Sequence, residues 1–331
     1  MKPAGLLAIE AEMARQAADA LASHAQAGDR AAEMATALRD SGRLVMLGMG
    51  ASHAVNRAVE PLYRTQGIDA QALPLSEQLA AGVPLAGKVV LLASQSGESA
   101  EVVRWLKTAR AGNAFGMTLD GGSTLARAVP SLVAAGGAEV AFAATRSLTL
   151  TLALHLAVLG HLGTDPAPAL AALSLPAPDV SRAVAALGGA TAIVASGRRL
   201  QGLAEAAALG LCELARLPAF ALEGGQLRHG PMEMLGPDIG VILFRAAEPD
   251  AELVAGMATA AHAAGARVIL FDASGGAPVP DVTNVRLPRS EGMAAIFATL
   301  PAMQRLMVDF AAARVADAGT PRRSAKITRV E

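Results

Sequence analysis

The chain has 331 residues, 53% of them hydrophobic and 17% charged, with a formal net charge of −1. That length supports two domains of ordinary size, and the even charge removes the electrostatic argument for nucleic acid or an acidic membrane surface as partner. A single cysteine, Cys212, excludes an intramolecular disulfide and fits a reducing, cytoplasmic setting, while 3% aromatics leave no stacking platform for bases.

The first residues run into an Ala-rich amphipathic pattern carrying Glu10, Glu12 and Arg15, without the continuous apolar stretch of a signal peptide. Residues 1–40 are predicted as a helical segment of one or two helices. Strand and helix then alternate: strand 43–47, helix 52–65, strand 70–74, a short helix 76–81, strand 88–93, helix 99–111, strand 114–118, helix 123–127, a weak strand 131–135 and helix 145–162. This rhythm predicts a parallel sheet with helices on both faces, spanning 41–165. The apolar run 148–162 carries His155 and His161, is too short and too polar to span a bilayer, and reads as a buried core helix. A Pro-rich stretch, 166–180, is the linker, with at most a turn of helix near 169–173.

The rhythm repeats over 181–318. Strands are predicted at 192–195, 240–244, 268–271 and 285–287, with helices at 199–216, 249–264 and 291–316. Equivalent strands are offset by about 150 residues, one domain length, which predicts a tandem pair of α/β domains. A polar tail, 319–331, follows. A Rossmann dinucleotide site is a poor alternative, because His53 stands where the third glycine belongs and no acidic residue ends the second strand.

Residues 94–99 read Ser-Gln-Ser-Gly-Glu-Ser, between the strand run Val89–Leu92 and a helical pattern. Strand, hydroxyl-rich turn and helix start form an anion nest suited to phosphate, or an ordinary turn with a capping serine. Glu213 stands among Leu211, Leu214 and Leu217, surroundings that would raise its pKa as a general base, although a solvent-facing helix glutamate has the same pattern. His229 precedes Gly230-Pro231, a rigid turn able to project it into a cleft or to hold it structurally. Lys326 and Arg322 lie in the polar tail, where a solvated basic terminus is the plain alternative. No pair of histidines or cysteines has metal-ligand spacing, so no metal and no cofactor are expected. Cys212 is expected to fill core space.

Taken in order, residues 48–52 (Gly-Met-Gly-Ala-Ser), 94–99, 143–146 (Ala-Ala-Thr-Arg), 211–214 (Leu-Cys-Glu-Leu), 226–231 (Gln-Leu-Arg-His-Gly-Pro) and the tail 321–326 with terminal Val330-Glu331 resemble the sugar isomerase (SIS) domain family. The likeness covers nearly the whole chain. It is greatest to the isomerase half of glucosamine-6-phosphate synthase and to stand-alone aminosugar-phosphate deaminases and isomerases. The resemblance implies two doubly wound, flavodoxin-like SIS domains. It implies that Gly50, Ala51 and Ser52, with Ser94, Gln95, Ser96 and Ser99, form the sugar-phosphate loops, and that Thr145 lies near the sugar. It implies that Glu213 is the base of the isomerase step, that His229 opens the sugar ring in a neighbouring subunit's site, and that Lys326, beside Arg322, meets the sugar carbonyl. A homodimer with shared sites, acting on a phosphorylated sugar or aminosugar, follows from it.

The chain departs from the family pattern at Gly210, where a lysine is expected, at Ala51 and Ala144, where hydroxyls are expected, and at Gln226, where a glutamate is expected. The SIS-like region begins almost at once and the single cysteine lies in its second half, so no glutaminase step is expected and the expected activity is that of an aminosugar-6-phosphate deaminase/isomerase acting on a glucosamine 6-phosphate-like substrate. Fructosamine-phosphate deglycation and ketose/aldose isomerisation are the alternatives within the family. A regulator that binds sugar phosphates without turning them over is the alternative outside enzymes.

Overall fold

The computed structural model describes residues 2–108 and 112–329. The chain divides into two compact units. The first comprises Ile9–Leu170 and the tail from Pro321; the second comprises the stretch up to Ala8 and Ala171–Thr320.

Two helices come first, α1 (Ala4–Gln26) and α2 (Gly28–Ser41), and Gly42 ends α2 in the left-handed conformation at φ 64°. The first sheet follows as β1 (Arg43–Gly48), α3 (Gly50–Thr65), β2 (Asp69–Pro74), α4 (Leu75–Ala81), β3 (Val89–Ala93), α5 (Ala100–Thr108), β4 (Ala114–Thr118), α6 (Thr124–Ala128) and β5 (Ser131–Val133), and α7 (Arg146–His161) closes this unit. The strands are parallel in the order β2-β1-β3-β4-β5. β1 and β3 are buried along almost their whole length, as parallel strands covered on both faces must be. Val45, Leu47, Val90 and Leu92 pack one face against Leu75, Val102, Trp105 and Leu125. α7 is buried nearly all round, including His155. Burial lowers the pKa of His155 to about 3, and its Nδ1 sits 3.0 Å from the Tyr63 hydroxyl. Among the described residues, no helix is long and apolar enough to cross a membrane.

α8 (Ala167–Leu173) lies within the Pro-rich stretch. The second unit then runs α9 (Ser181–Leu187), β6 (Ala192–Gly197), α10 (Gln201–Ala215), β7 (Ala219–Glu223), α11 (Gly224–Arg228), a 3-10 turn (Pro231–Met234), β8 (Ile239–Ala246), α12 (Ala251–Ala263), β9 (Arg267–Ala273), β10 (Thr283–Arg286) and α13 (Gly292–Ala312). Its sheet order is β10-β9-β8-β6-β7, the same winding as the first. The sequence pattern misses β7. This strand is short, lies at the sheet edge, and is half-exposed throughout, with Phe220 facing out, so it lacks the apolar run of its neighbours. Residues 109–111 of the expected helix 99–111 lie outside the described residues, as do Val330 and Glu331.

Candidate functional site

In each sheet the winding reverses direction beside the first strand, and in open α/β sheets the crevice at that point, at the carboxyl ends of the strands, is where ligands bind. In the first unit these ends are Gly48 and Ala93, on strands paired in register. The segments leaving them are Met49–Ser52 and Ser94–Ser99, so the topology brings both expected sugar-phosphate loops together.

The Ser94–Ser99 loop is tightly tied. Ser94 is buried, and its hydroxyl oxygen accepts the Gly97 N–H at 3.1 Å; the Ser96 hydroxyl oxygen accepts the Glu98 N–H at 3.2 Å. Each hydroxyl used as an acceptor keeps its proton to donate. The Gln95 carbonyl accepts the Leu119 N–H at 3.0 Å, and the Glu98 carboxylate holds both the N–H and the hydroxyl of Thr124. Gly97 sits at φ +64°, and a Cβ there would lie 2.3 Å from the Ser123 Oγ, so the turn needs glycine on two counts. Ser99 is half-buried at the threshold of α5, and its carbonyl accepts the Val103 N–H. The Gln95 Nε2 is buried with no hydrogen-bond partner, a donor left over beside the loop.

On the facing segment, Gly50 (φ +50°) is exposed, Ala51 half-buried and Ser52 buried at the start of α3. The next residue, His53, has its pKa lowered to about 4, by burial first and by the nearby Arg57 second, despite a hydrogen bond to the Leu73 backbone. It is therefore a neutral imidazole beside the loop.

The tail returns to this unit. The Thr328 carbonyl accepts the N–H of Ala100, the first residue of α5, at 3.0 Å. Lys326 is half-buried, and its Nζ lies 2.8 Å from Glu139 Oε2. Arg322 is exposed in the same tail. Thr145 is fully buried as the residue before α7, and both its N–H and its hydroxyl bond Glu139 Oε1. As seated, Thr145 faces the partner of Lys326.

Glu139 was not singled out from the sequence. It lies on the loop between β5 and α7, and burial by itself would raise its pKa. The charge of Lys326 and hydrogen bonds from Lys326, Ser147 and Thr145 outweigh that and hold the carboxyl below its ordinary value. The available signal was a lone charged residue in the small and apolar run 136–144, just before a buried helix.

The second unit carries the other two expected groups. Glu213 is half-buried on α10. One turn earlier, Gly210 is buried, and a Cβ on it would come within 2.6 Å of the Met307 Sδ of α13. The missing lysine is thus replaced by a close helix–helix approach. Cys212 is exposed rather than a core filler, with its thiol 3.1 Å from the Ala219 carbonyl oxygen, because it falls on the solvent side of α10. His229 is exposed at the end of α11, where its N–H bonds the Gln226 carbonyl, and Gly230 follows at φ +110°. Among the described residues, no group of His, Cys, Asp and Glu has a geometry that could hold a metal ion.

No family model matches the chain. Over 320 residues it is 30% identical to the isomerizing glutamine–fructose-6-phosphate aminotransferase of Aeropyrum pernix, a match covering 88% of this chain and 52% of that protein. The chain is thus homologous to the isomerase (SIS) part of these aminotransferases. It spans about half the length of the curated relatives it matches. Solved SIS structures share the fold at lower identity. The C-terminal domain of the Francisella tularensis glucosamine-fructose-6-phosphate aminotransferase superimposes with a TM-score of 0.80 at 18% identity, covering 94% of this chain and 97% of that one. The Escherichia coli tagatose-6-phosphate ketose/aldose isomerase gives 0.78 at 21% identity, covering 97% and 99%. A Thermotoga maritima glucosamine-6-phosphate deaminase gives 0.69 at 17% identity, covering 93% and 99%.

Proposed function

We propose that this SIS protein is a phosphosugar aldose/ketose enzyme, and specifically an aminosugar-6-phosphate deaminase/isomerase acting on a glucosamine 6-phosphate-like substrate. The observation that carries the reading is the serine loop at the switch point of the first sheet, with the Lys326 tail bonded to the helix that the loop starts. The phosphate takes the donors of Ser94, Ser96 and Ser99, with Gln95 and the Gly50–Ser52 turn alongside. His229 moves the proton that opens the sugar ring, in the site of a second copy in a homodimer. Glu213 carries the proton between C2 and C1, and Lys326 balances the charge that develops on the sugar oxygen, with Arg322 supporting the tail. On a 2-amino-aldose phosphate this transfer turns the C2 amine into an imine. Water then adds at C2 and ammonia leaves, so aminosugar phosphate and water give ketose phosphate and ammonia.

The test is an assay across amino- and glycated-sugar 6-phosphates and ketose 6-phosphates, scored for ammonia and for the isomerised sugar. Ammonia released from glucosamine 6-phosphate supports the reading. Isomerisation without ammonia assigns a ketose/aldose isomerase, release of a free amino acid from a glycated substrate assigns a deglycase, and binding without turnover assigns a regulator.

A further inference from the structure

We propose that Glu139 is the positioning residue for Lys326, fixing the tail ammonium in place before substrate arrives; this rests on the sugar-phosphate reading above. The Glu139 side chain is 1% exposed. Its Oε1 accepts the N–H groups of Thr145 (3.0 Å) and Ser147 (3.2 Å) and the Thr145 hydroxyl (3.2 Å). Its Oε2 accepts the Ser147 hydroxyl at 2.5 Å and Lys326 Nζ at 2.8 Å. With both oxygens engaged, the carboxylate has no freedom to swing.

Capping the N-terminus of α7 explains only part of this arrangement. A neutral hydroxyl or amide caps a helix as well as a carboxylate does. A buried negative charge at this point is explained by the cation it faces. The platform beneath is rigid too. The wholly buried Arg146 binds Glu12 at 2.6 Å and Asp19 at 3.0 Å, and donates to the carbonyls of Gly137 and Ala138, which ties the loop carrying Glu139 onto α1.

The tail has the opposite character. Residues 321–325 are exposed, and the chain is held by Lys326 on Glu139 and by the Thr328 carbonyl on Ala100. A lysine on such a segment would otherwise sample many rotamers in water. Held by Glu139, its ammonium stands at one point in the unit that carries the serine loop, and the ordering is done before the reaction begins.

The test compares Glu139→Gln and Glu139→Asp with the wild-type chain. Glutamine keeps an acceptor for the Thr145 and Ser147 N–H groups but turns an amide donor or a neutral oxygen toward Lys326; aspartate keeps the charge. Reductive methylation with formaldehyde and cyanoborohydride, read by peptide mass spectrometry, needs no substrate. The other lysines, Lys2, Lys88 and Lys107, serve as references. Lys326 is expected to label several-fold faster in Glu139→Gln and near the wild-type rate in Glu139→Asp. On a confirmed substrate, kcat should fall roughly 10–100-fold in Glu139→Gln with KM little changed, and Glu139→Asp should recover part of it. Equal labelling in Glu139→Gln and the wild type overturns the proposal. So does faster labelling with unchanged kcat, and so does a kcat loss that Glu139→Asp shares in full alongside an equal drop in thermal midpoint. If the wild type turns over no sugar phosphate, the reaction reading fails by itself, and the labelling still decides the pairing.

Discussion

Gly97→Ala tests the proposed phosphate loop through its geometry. The new methyl meets two separate penalties. At φ +64° an alanine is in the left-handed region, which costs about 1–2 kcal/mol. The Cβ also lands 2.3 Å from Ser123 Oγ and 2.6 Å from Ser123 Cβ, while Leu125 Cβ is farther at 3.2 Å. Ser123 is buried and caps α6 by accepting the Ala126 N–H, so it has little room to yield, and overpacking of this kind costs about 1–3 kcal/mol. The single variant should therefore lose about 2–5 kcal/mol. Ser123→Gly alone should lose only a few tenths, since glycine is a tolerable cap. The double variant removes both clashing atoms and should return to about 1–2 kcal/mol, the backbone part. Trp105, the one tryptophan of the chain, is buried on α5 in the same core as Leu125, so its fluorescence in a urea titration reports this unit. Protection by glucosamine 6-phosphate in the same titration should be weaker in Gly97→Ala and partly restored in the double variant. A single-variant loss under 1 kcal/mol, or a double variant no better than the sum of the singles, would refute the claim that the loop is held against α6 by contact at Gly97.

Glu213→Gln should abolish turnover, with a loss of roughly 10²–10⁴-fold, and leave sugar-phosphate binding nearly intact; retention of more than about a tenth of the activity would reassign the base. Truncation after Thr320 should remove turnover and weaken binding modestly. It should also destabilise the first unit by about 1–2 kcal/mol, between the loss for an exposed pair and that for a fully buried one, because Lys326 is partly exposed; unchanged unfolding at Trp105 would count against the Glu139 pairing. The first unit should lose stability as pH falls from about 6.5 toward 4. Burial holds His155 to about 3 and His53 to about 4, so over that window the unfolded chain binds protons the native fold refuses. Glu139, whose folded pKa is depressed, adds a further loss as pH falls through that value. His155→Phe should flatten the slope by up to about 1.4 kcal/mol per pH unit in urea titrations at stepped pH, and an unchanged slope would show that His155 titrates freely. Sedimentation at low concentration should show a dimer; a fully active monomer would exclude a shared site.

The parts of the fold legible in the sequence are those whose burial leaves a one-dimensional trace. β1, β3, β6, β8 and β9 are continuous apolar runs because helices cover both faces, and their spacing announces two parallel α/β units in tandem, while the winding of each sheet is implied only by the family resemblance. β7 leaves no such trace, since an edge strand half in water has no apolar run to show. The serine loop is legible for the same local reason: strand, turn and helix start are consecutive, and the chemistry needs nothing from afar. Glu139 and Lys326 are not legible in this way. They are 187 residues apart, and each alone reads as an ordinary surface charge. What marks Glu139 is burial, and burial of a charge is a property of the folded neighbourhood.

Gly210 carries the same lesson with the opposite sign. In the sequence it is a family lysine lost. In the structure it is the place where α10 and the Met307 side chain of α13 approach too closely for a Cβ to fit without displacing Met307. A lysine restored there would have to displace Met307 from the second unit's core before it reached any substrate. The departure is therefore matched by packing around it, and on the proposed reading Glu213, three residues on and half-buried, acts without a cation at that position. Gly210→Ala should consequently be mild. The atom it meets is the flexible end of a methionine, and the helix-propensity gain of up to about 1 kcal/mol offsets the shift. Gly210→Lys should cost several-fold more stability than Gly210→Ala and leave turnover no higher than wild type. A lysine variant that is as stable as the alanine one and faster than wild type would show that the helix pair accommodates the side chain, and that the cation, not the packing, is what this position lacks.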